Sequence, residues 1–269
     1  MIKLFVSDID GTIFDHTVGV PTENVEALLR LQANQVKMVL ASGRAIPAMM
    51  EIAEMIQLKE HKGYLIASNG AEVYDCEKGV FIHQALVPVN ILRDMYQFCL
   101  ENELFFSCVQ GDVLYYSFYD QAVEHEKYHG KFQIEKINRA EDIKLDSPKC
   151  SVNINMDADP KNMDTFEKKF KPYVSIERLS SFYMDVQSIG QCKRLGLERL
   201  CKYLNIGMHE VAAIGDGSND RTMLESVGIS ASLKNSNTQI MEIVDHIMPS
   251  AKEVGVAHFA QLILKQNAL

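Results

Sequence analysis

The sequence has no C-x-x-C pair, no long apolar run and no basic excess, and each absence removes a class of protein. Its 6 cysteines stand apart at positions 76, 99, 108, 150, 192 and 201. In a chain of this length that points to reduced core thiols in a cytoplasmic protein rather than a disulfide framework. No stretch approaches the ~18 apolar residues of a membrane span, and the N-terminus lacks the apolar core of a secretory signal. The expectation is a cytoplasmic protein with no membrane association. Lys and Arg total 27 against 36 Asp and Glu, a formal net charge of −9. A nucleic-acid-binding surface would show a basic excess or stripe, yet the longest basic clusters are pairs such as Lys168-Lys169 and Lys193-Arg194. Nucleic acid is not expected as a partner, and nothing marks an obligate protein partner. A small phosphorylated molecule is compatible with this charge, provided that a local site supplies positive groups.

What is present is an ordinary globular composition, 47% apolar and 23% charged over 269 residues. That is enough for a sizeable core without metal or disulfide staples, and for roughly two domains at about 150 residues each. Short apolar runs at 2–7, 36–41 and 64–67 alternate with helix-like patterns at 22–32 and 46–56, with Thr22 as a capping candidate. The same rhythm returns after residue 190, with a helix at 194–204 and strands at 211–214, 229–231 and 246–248. Strands alternating with helices imply a parallel, doubly wound α/β sheet. Between the two halves the pattern changes to period-two strands with helices near 91–99 and 160–171, the signature of an α+β domain on an antiparallel sheet. The expected architecture is a Rossmann-like core, 1–82 with 184–269, interrupted by an inserted α+β domain over 83–183.

Three core strands run directly into polar clusters. The first meets Asp8-Ile9-Asp10-Gly11-Thr12, the second Ser42-Gly43-Arg44, and the strand at 211–214 meets Gly215-Asp216-Gly217-Ser218-Asn219-Asp220. Ligands of an open parallel sheet bind beyond the carboxyl ends of its strands, so all three clusters point into one crevice. Asp8 and Asp10, two apart, can face the same way at a strand end, and carboxylates this close repel unless a cation or a proton lies between them. Only oxygen ligands are on offer, which favours a hard cation such as Mg²⁺. Gly11 permits a tight turn behind the acids. Ser42, the Gly43 amide, Asn219 and Lys193 supply the donors that a phosphoryl group requires. A carboxylate can attack phosphorus once the repulsion between anions is neutralised. Each cluster alone also suits a plain turn or helix start, and Lys193 alone a solvated lysine. Their joint occurrence at three strand ends is the specific signal.

D-I-D-G-T, S-G-R, the lysine of G-Q-C-K and G-D-G-S-N-D resemble the four motifs of the haloacid dehalogenase-like hydrolase superfamily. The large insertion after the second motif resembles its Cof-type phosphatase branch. The resemblance extends to Ser68-Asn69-Gly70-Ala71 and Lys234-Asn235-Ser236. It implies that Asp8 is the nucleophile and Asp10 the general acid/base. It implies that Mg²⁺ is held by the Asp8 carboxylate, the Asp10 backbone carbonyl and Asp216, with Asp220 supporting. Phosphate would be gripped by the Ile9 amide, Ser42, Gly43, Lys193 and Asn219, with Thr12 and Arg44 in support. The inserted domain would be a cap that selects the leaving group of a small phosphate monoester: a sugar phosphate, a nucleotide or a phosphorylated cofactor. Two departures from the family pattern bear on local backbone and substrate contacts: Arg194 stands where Gly is frequent, and Ser236 where Ala is frequent.

Other readings use the same residues. A phosphomutase would return the phosphoryl group to a sugar instead of water. A non-catalytic sensor of phosphorylated metabolites would be expected to lack Asp8, Asp10 or a metal ligand, and all are present. His125-Glu126-Lys127-Tyr128-His129 matches the H-E-x-x-H pattern of zinc proteases, but Phe132 and Glu135 stand where the longer pattern requires Gly and His. The plainer reading is a polar helix of the cap. Tyr115, Tyr116, Tyr119 and Tyr183 are candidates for substrate contact, although such aromatics more often pack within the sheet.

Overall fold

Strand β1 (Leu4–Ser7) is apolar on both faces because helices cover both: Leu4 and Val6 enter one cluster, Phe5 the other, and none is exposed. A strand buried on two sides reads as a continuous apolar run, not an alternating one. The structure, a computed structural model, describes every residue except 120–122, 125–129, 131, 155–158, 179 and 269. After β1 come α1 (Thr22–Ala33), β2 (Lys37–Ala41), α2 (Met50–Met55), β3 (Tyr64–Ala67), β4 (Glu72–Asp75) and β5 (Val80–Gln84). There follow α3 (Val89–Glu101), β6 (Leu104–Gln110), β7 (Val113–Tyr116), β8 (Gln133–Lys136), β9 (Lys149–Ile154), α4 (Lys161–Phe170), β10 (Val174–Arg178) and β11 (Tyr183–Ser188). The chain ends with α5 (Lys193–Leu204), β12 (Val211–Ile214), α6 (Arg221–Leu224), β13 (Ile229–Leu233), α7 (Thr238–Met241), β14 (His246–Met248) and α8 (Gly255–Asn267). The zinc-protease match at 125–129 lies outside the described residues.

Two units result: Met1–His83 with Cys192–Leu269, and Gln84–Gln191. The second junction therefore falls after residue 191, not after 183 as the sequence suggested. The reason is pairing: β11 lies antiparallel between β9 and β10, with Tyr183 opposite Asn153 and Val186 opposite Ile176, so it belongs to the inserted sheet.

The first unit is an eight-stranded sheet in the order β14-β13-β12-β1-β2-β3-β4-β5. From β14 to β3 all neighbours are parallel, and β4 runs antiparallel to β3. The chain leaves β1 towards β2 and β3, then comes back on the other side through β12, β13 and β14, which makes the β1/β12 boundary a topological switch point. Residues of α1, α2 and α8 pack on one face, and those of α5, α6 and α7 on the other. Five neighbouring parallel strands, β13, β12, β1, β2 and β3, thus deliver the segments that follow them to one edge of the sheet.

Local details depart from the sequence pattern where tertiary partners intervene. Thr22 is the first helical residue, not a cap; Pro21 takes the N-cap position without a side-chain bond. The buried face of α1 is Asn24, Ala27, Leu28, Leu31 and Gln32. Its two polar members are buried because Asn24 Oδ1 accepts from the Ala257 amide at 2.9 Å, and Gln32 Nε2 donates to the Ile56 carbonyl at 2.8 Å. The helix expected over 46–56 breaks into a 3₁₀ turn at Ile46–Ala48, which contains Pro47, and then α2. Neither α8 nor β8 was evident from periodicity.

The inserted unit is a six-stranded sheet in the order β10-β11-β9-β6-β7-β8, antiparallel apart from the parallel β7/β8 pair. Leu104, Phe106, Cys108, Cys150, Val152, Met184 and Val186 alternate onto one face, where α3 and α4 cover them. Phe98 meets Phe166 and Phe170 edge-on there. All six cysteines are free thiols, and burial pushes the Cys108 thiol up to about 12. Of the tyrosines singled out in the sequence, Tyr115 packs against this core, Tyr116 stacks edge-on with Tyr119, and Tyr183 shares a 2.8 Å hydrogen bond with Ser151 Oγ. Among the described residues no helix is long and apolar enough to cross a membrane.

Candidate active site

The sheet edge gathers the polar clusters because each follows a parallel strand that ends there. Asp8 succeeds β1, Ser42 succeeds β2, Ser68 follows β3, and Gly215 to Asp220 follow β12. Asp8 is anchored by its amide, which donates to the Ile214 carbonyl at 3.0 Å across the switch point. Ile9 is fully buried, and its carbonyl accepts from the Thr12 and Phe14 amides, closing the turn in which Gly11 adopts φ +77°. A side chain at position 11 would collide with the Asp216 carboxylate, so the turn needs glycine for both conformation and space.

Lys193 is the first residue of α5 and is completely buried. A cation at the positive end of a helix is unfavourable in itself. Two carboxylates offset that cost: Nζ donates to Asp8 Oδ1 at 2.5 Å and to Asp220 Oδ1 at 2.6 Å. Asp220 in turn accepts at Oδ2 from the Asp216 and Gly217 amides, at 3.1 and 3.0 Å. Thr12 Oγ1 donates to Asp216 Oδ1 at 2.7 Å. Burial and then the nearby Asp220 raise the Asp8 carboxyl well above the usual carboxylate range, against the opposing pull of Lys193. Asp216 is raised as well, first by burial, with Thr12 acting in the opposite sense.

Asp10 has a different environment. Arg44 grips it with both arms of its fork, Nε to Oδ2 at 2.8 Å and Nη2 to Oδ1 at 2.5 Å, while Nη1 donates to the Ala48 carbonyl at 3.1 Å. The guanidinium also lies over the Phe14 ring. Burial works against ionisation of Asp10, but the Arg44 hydrogen bonds and charge outweigh it and hold the carboxyl below its ordinary value. A depressed carboxyl stabilises the fold above its unfolded pKa of about 3.9, and that contribution disappears as pH falls through the lower folded value. Arg44→Met should therefore be less stable than the wild type at neutral and alkaline pH, by a margin that narrows as pH falls below about 5 and Asp10 takes up its proton. Thermal melts across that range would measure it, and equal acid sensitivity of the two proteins would show that the pair is too solvated to matter.

The remaining expected residues lie on the same rim. Ser42 is buried, and its Oγ accepts from the Arg44 amide at 3.1 Å. Gly43 follows it, and Asn219 Nδ2 donates to Asn69 Oδ1 at 3.0 Å. Asn69 stood out in the sequence only within the Ser68-Asn69-Gly70-Ala71 segment of the resemblance, with no role attached to it. A second asparagine, Asn235 after β13, donates from Nδ2 to the Gly11 carbonyl at 2.9 Å and accepts at Oδ1 from the Ala251 amide. No signal in its immediate sequence context marked it as a support of the Asp8–Gly11 turn. The two departures from the family pattern are absorbed locally. Arg194 pairs with Glu198 one turn along α5, and Ser236 Oγ accepts from the Leu233 amide at 2.9 Å.

The acidic donors suit a hard divalent cation. Four carboxylates, Asp8, Asp10, Asp216 and Asp220, face two cations, Lys193 and Arg44. One oxygen from each of Asp8, Asp216 and Asp220 lies within 4.8 Å of the others. Both Asp220 oxygens already accept hydrogen bonds, which makes it an orienting group. Asp8 and Asp216 thus bring carboxyl oxygens within 4.8 Å of each other, an approach of two acids that a cation or a proton between them stabilises. An all-oxygen set with that charge deficit fits Mg²⁺.

The family model for haloacid dehalogenase-like hydrolases matches residues 5–259. The chain belongs to that family. Within it the chain falls in the Cof-type phosphatase branch. This hydrolase is 26% identical to the phosphatase YwpJ of Bacillus subtilis, an alignment that covers 98% of this chain and all of that one. It is 24% identical to 5-amino-6-(5-phospho-D-ribitylamino)uracil phosphatase YcsE of the same organism, over 95% of this chain and 93% of the relative. Among solved structures, a haloacid dehalogenase-like hydrolase from Bacteroides thetaiotaomicron superposes with a TM-score of 0.90 at 25% identity, covering 98% of this chain and 100% of that one.

Proposed function

We propose that this hydrolase cleaves small phosphate monoesters in the cytoplasm, with Mg²⁺, through an aspartyl-phosphate on Asp8. Candidate substrates are sugar phosphates, nucleotides and phosphorylated cofactors. The observation that carries the reading is the Lys193 bridge, which binds one Asp8 oxygen and aligns the carboxyl beside Asp216 and Asp220. Asp8 attacks phosphorus, and the bond from phosphorus to the ester oxygen breaks. Asp10 delivers a proton to the departing oxygen and later takes one from the water that hydrolyses the acyl phosphate. Lys193, Asn219, Ser42 and the Ile9 and Gly43 amides bind the phosphoryl oxygens. The Asp8 and Asp216 carboxylates and the Asp10 carbonyl hold Mg²⁺, which when bound neutralises charge on the phosphoryl group.

Arg44 keeps Asp10 ionised and oriented in the resting site, so Asp10 must gain its proton when the doubly charged ester arrives beside it. The inserted unit acts as the cap that selects the leaving group. Support comes from one face of its sheet, which carries the Lys149–Asp185 ion pair at 3.0 Å and the Ser151–Tyr183 hydrogen bond. Phosphate release should be measured on a panel of monoesters with Mg²⁺ and with EDTA. Release that requires Mg²⁺ supports the proposal. Ester phosphate that is moved but conserved would indicate a mutase, and no turnover of any ester would overturn the reading.

A further inference from the structure

The backbone that follows β3 is unusual. Ser68, Asn69 and Gly70 have φ of +50°, +51° and +91°, three successive residues in the left-handed region. Such a run persists only where its surroundings over-determine it, and strain of this kind collects at functional sites. Here three neighbours hold it. The Ser68 amide donates to the Arg44 carbonyl at 2.8 Å, and the Asn69 amide to the Ser42 carbonyl at 3.0 Å, so the segment is tied to the loop after β2. Gly70 lies so close to the start of α5 that any side chain on it would strike the Cys192 carbonyl. The result of this folding is that the Asn69 side chain sits between two phosphate-binding candidates. Its amide would be 3.3 Å from a Cβ at position 43, and its Oδ1 accepts from Asn219 Nδ2.

We propose that Asn69 is a positioning residue that fixes the orientation of the Asn219 side-chain amide, so that Asn219 offers phosphate a donor and not a carbonyl. The inference rests on Asn219 being a phosphate ligand, as proposed above. A side-chain amide has two nearly isosteric orientations, which differ in whether oxygen or nitrogen faces a given neighbour. Turning Asn219 over would bring its Oδ1 against the Asn69 Oδ1, two acceptors with no hydrogen between them. The observed orientation uses one N–H of Nδ2 on Asn69 and leaves the second N–H for a phosphoryl oxygen. The left-handed backbone at Asn69 is what carries its carbonyl to this place. Asparagine is among the few residues that adopt the conformation readily.

The test is a double-mutant cycle on the whole chain, read as the affinity for inorganic phosphate in the presence of Mg²⁺ by calorimetry. Asn69→Gly suits the left-handed backbone and should melt close to the wild type. It should bind phosphate about tenfold more weakly, since loss of an oriented hydrogen bond to an anion is of that order. Asn219→Ala should lose a similar factor, and the double variant no more than Asn219→Ala alone. The loss in Asn69→Gly should also appear in KM for any ester that is hydrolysed, more than in kcat. Wild-type phosphate affinity in Asn69→Gly, or losses that multiply in the double variant, would overturn the proposal, as would a wild type that binds no phosphate. A cycle of the expected form in a protein that hydrolyses no ester would leave Asn69 as a positioning residue and sink the phosphatase reading instead.

Discussion

Asp8→Asn is expected to lower phosphate release by at least about a thousandfold, the scale on which loss of a nucleophile is felt. The substitution is nearly isosteric at a position that is 6% exposed, and an asparagine oxygen can still accept from Lys193. What it removes is the carboxylate that attacks phosphorus. Its effect on stability should run the other way from its effect on activity. Burial and Asp220 already oppose ionisation of Asp8, so a neutral side chain relieves an electrostatic cost in metal-free protein. The melting temperature without Mg²⁺ should hold or rise, and the stabilisation that Mg²⁺ confers on the native state should shrink. Retention of more than a tenth of wild-type turnover would show that the nucleophile lies elsewhere.

The second large effect concerns Lys193, and here stability and activity should fall together. Lys193→Met keeps the volume of a fully buried side chain but strips the ammonium from between Asp8 and Asp220. Removing one partner of a buried ionic cluster costs about 3–5 kcal/mol, because the remaining charges are left without compensation. At about 2–4 °C per kcal/mol for a domain of this size, the melting temperature should drop by roughly 6–20 °C. The pH dependence follows from the shifts. Burial acts to lower the lysine's pKa, but Asp220 and Asp8 outweigh it and raise it. Its contribution is therefore fully present below its unfolded pKa of about 10.4 and is lost only as pH rises through the still higher folded value. On the acid side the gap should narrow where Asp8, with its raised pKa, takes up a proton and ceases to need a counter-charge. Adding Asp8→Asn to Lys193→Met should recover part of the lost stability. Melts of the single and double variants from pH 4 to 9, together with phosphate release, measure this. A drop of under 2 °C at neutral pH would mean that water, not Lys193, compensates the acids.

Both expectations depend on contacts between residues far apart in the chain, and the division between sequence and structure runs along that line. The α/β class, the inserted α+β unit and the polar clusters at three strand ends could all be read from local signals. Hydrophobic period is a property of neighbours in the chain, and a parallel sheet sends the ends of its strands to one edge whatever the loops contain. Asp8 and Asp216 were identifiable for the same reason, whereas Lys193 stood out only through the resemblance of its G-Q-C-K segment to a family motif. What lay beyond local pattern were the pairings. Asp10 and Arg44 meet across the β1/β2 boundary, 34 positions apart in sequence. Asn219 finds Asn69 150 positions away, and Asn235 supports a turn 224 positions earlier. The end of the inserted unit at residue 191 was hidden as well, since a half-polar strand such as β11 does not state how far its pairing extends. The types of residue available to the site were determined by the sequence alone. Which carboxylate is clamped, which is raised and which amide is held in place was decided by strand order, because hydrogen bonds and charge act over a few ångströms and only the folded sheet brings those groups that close.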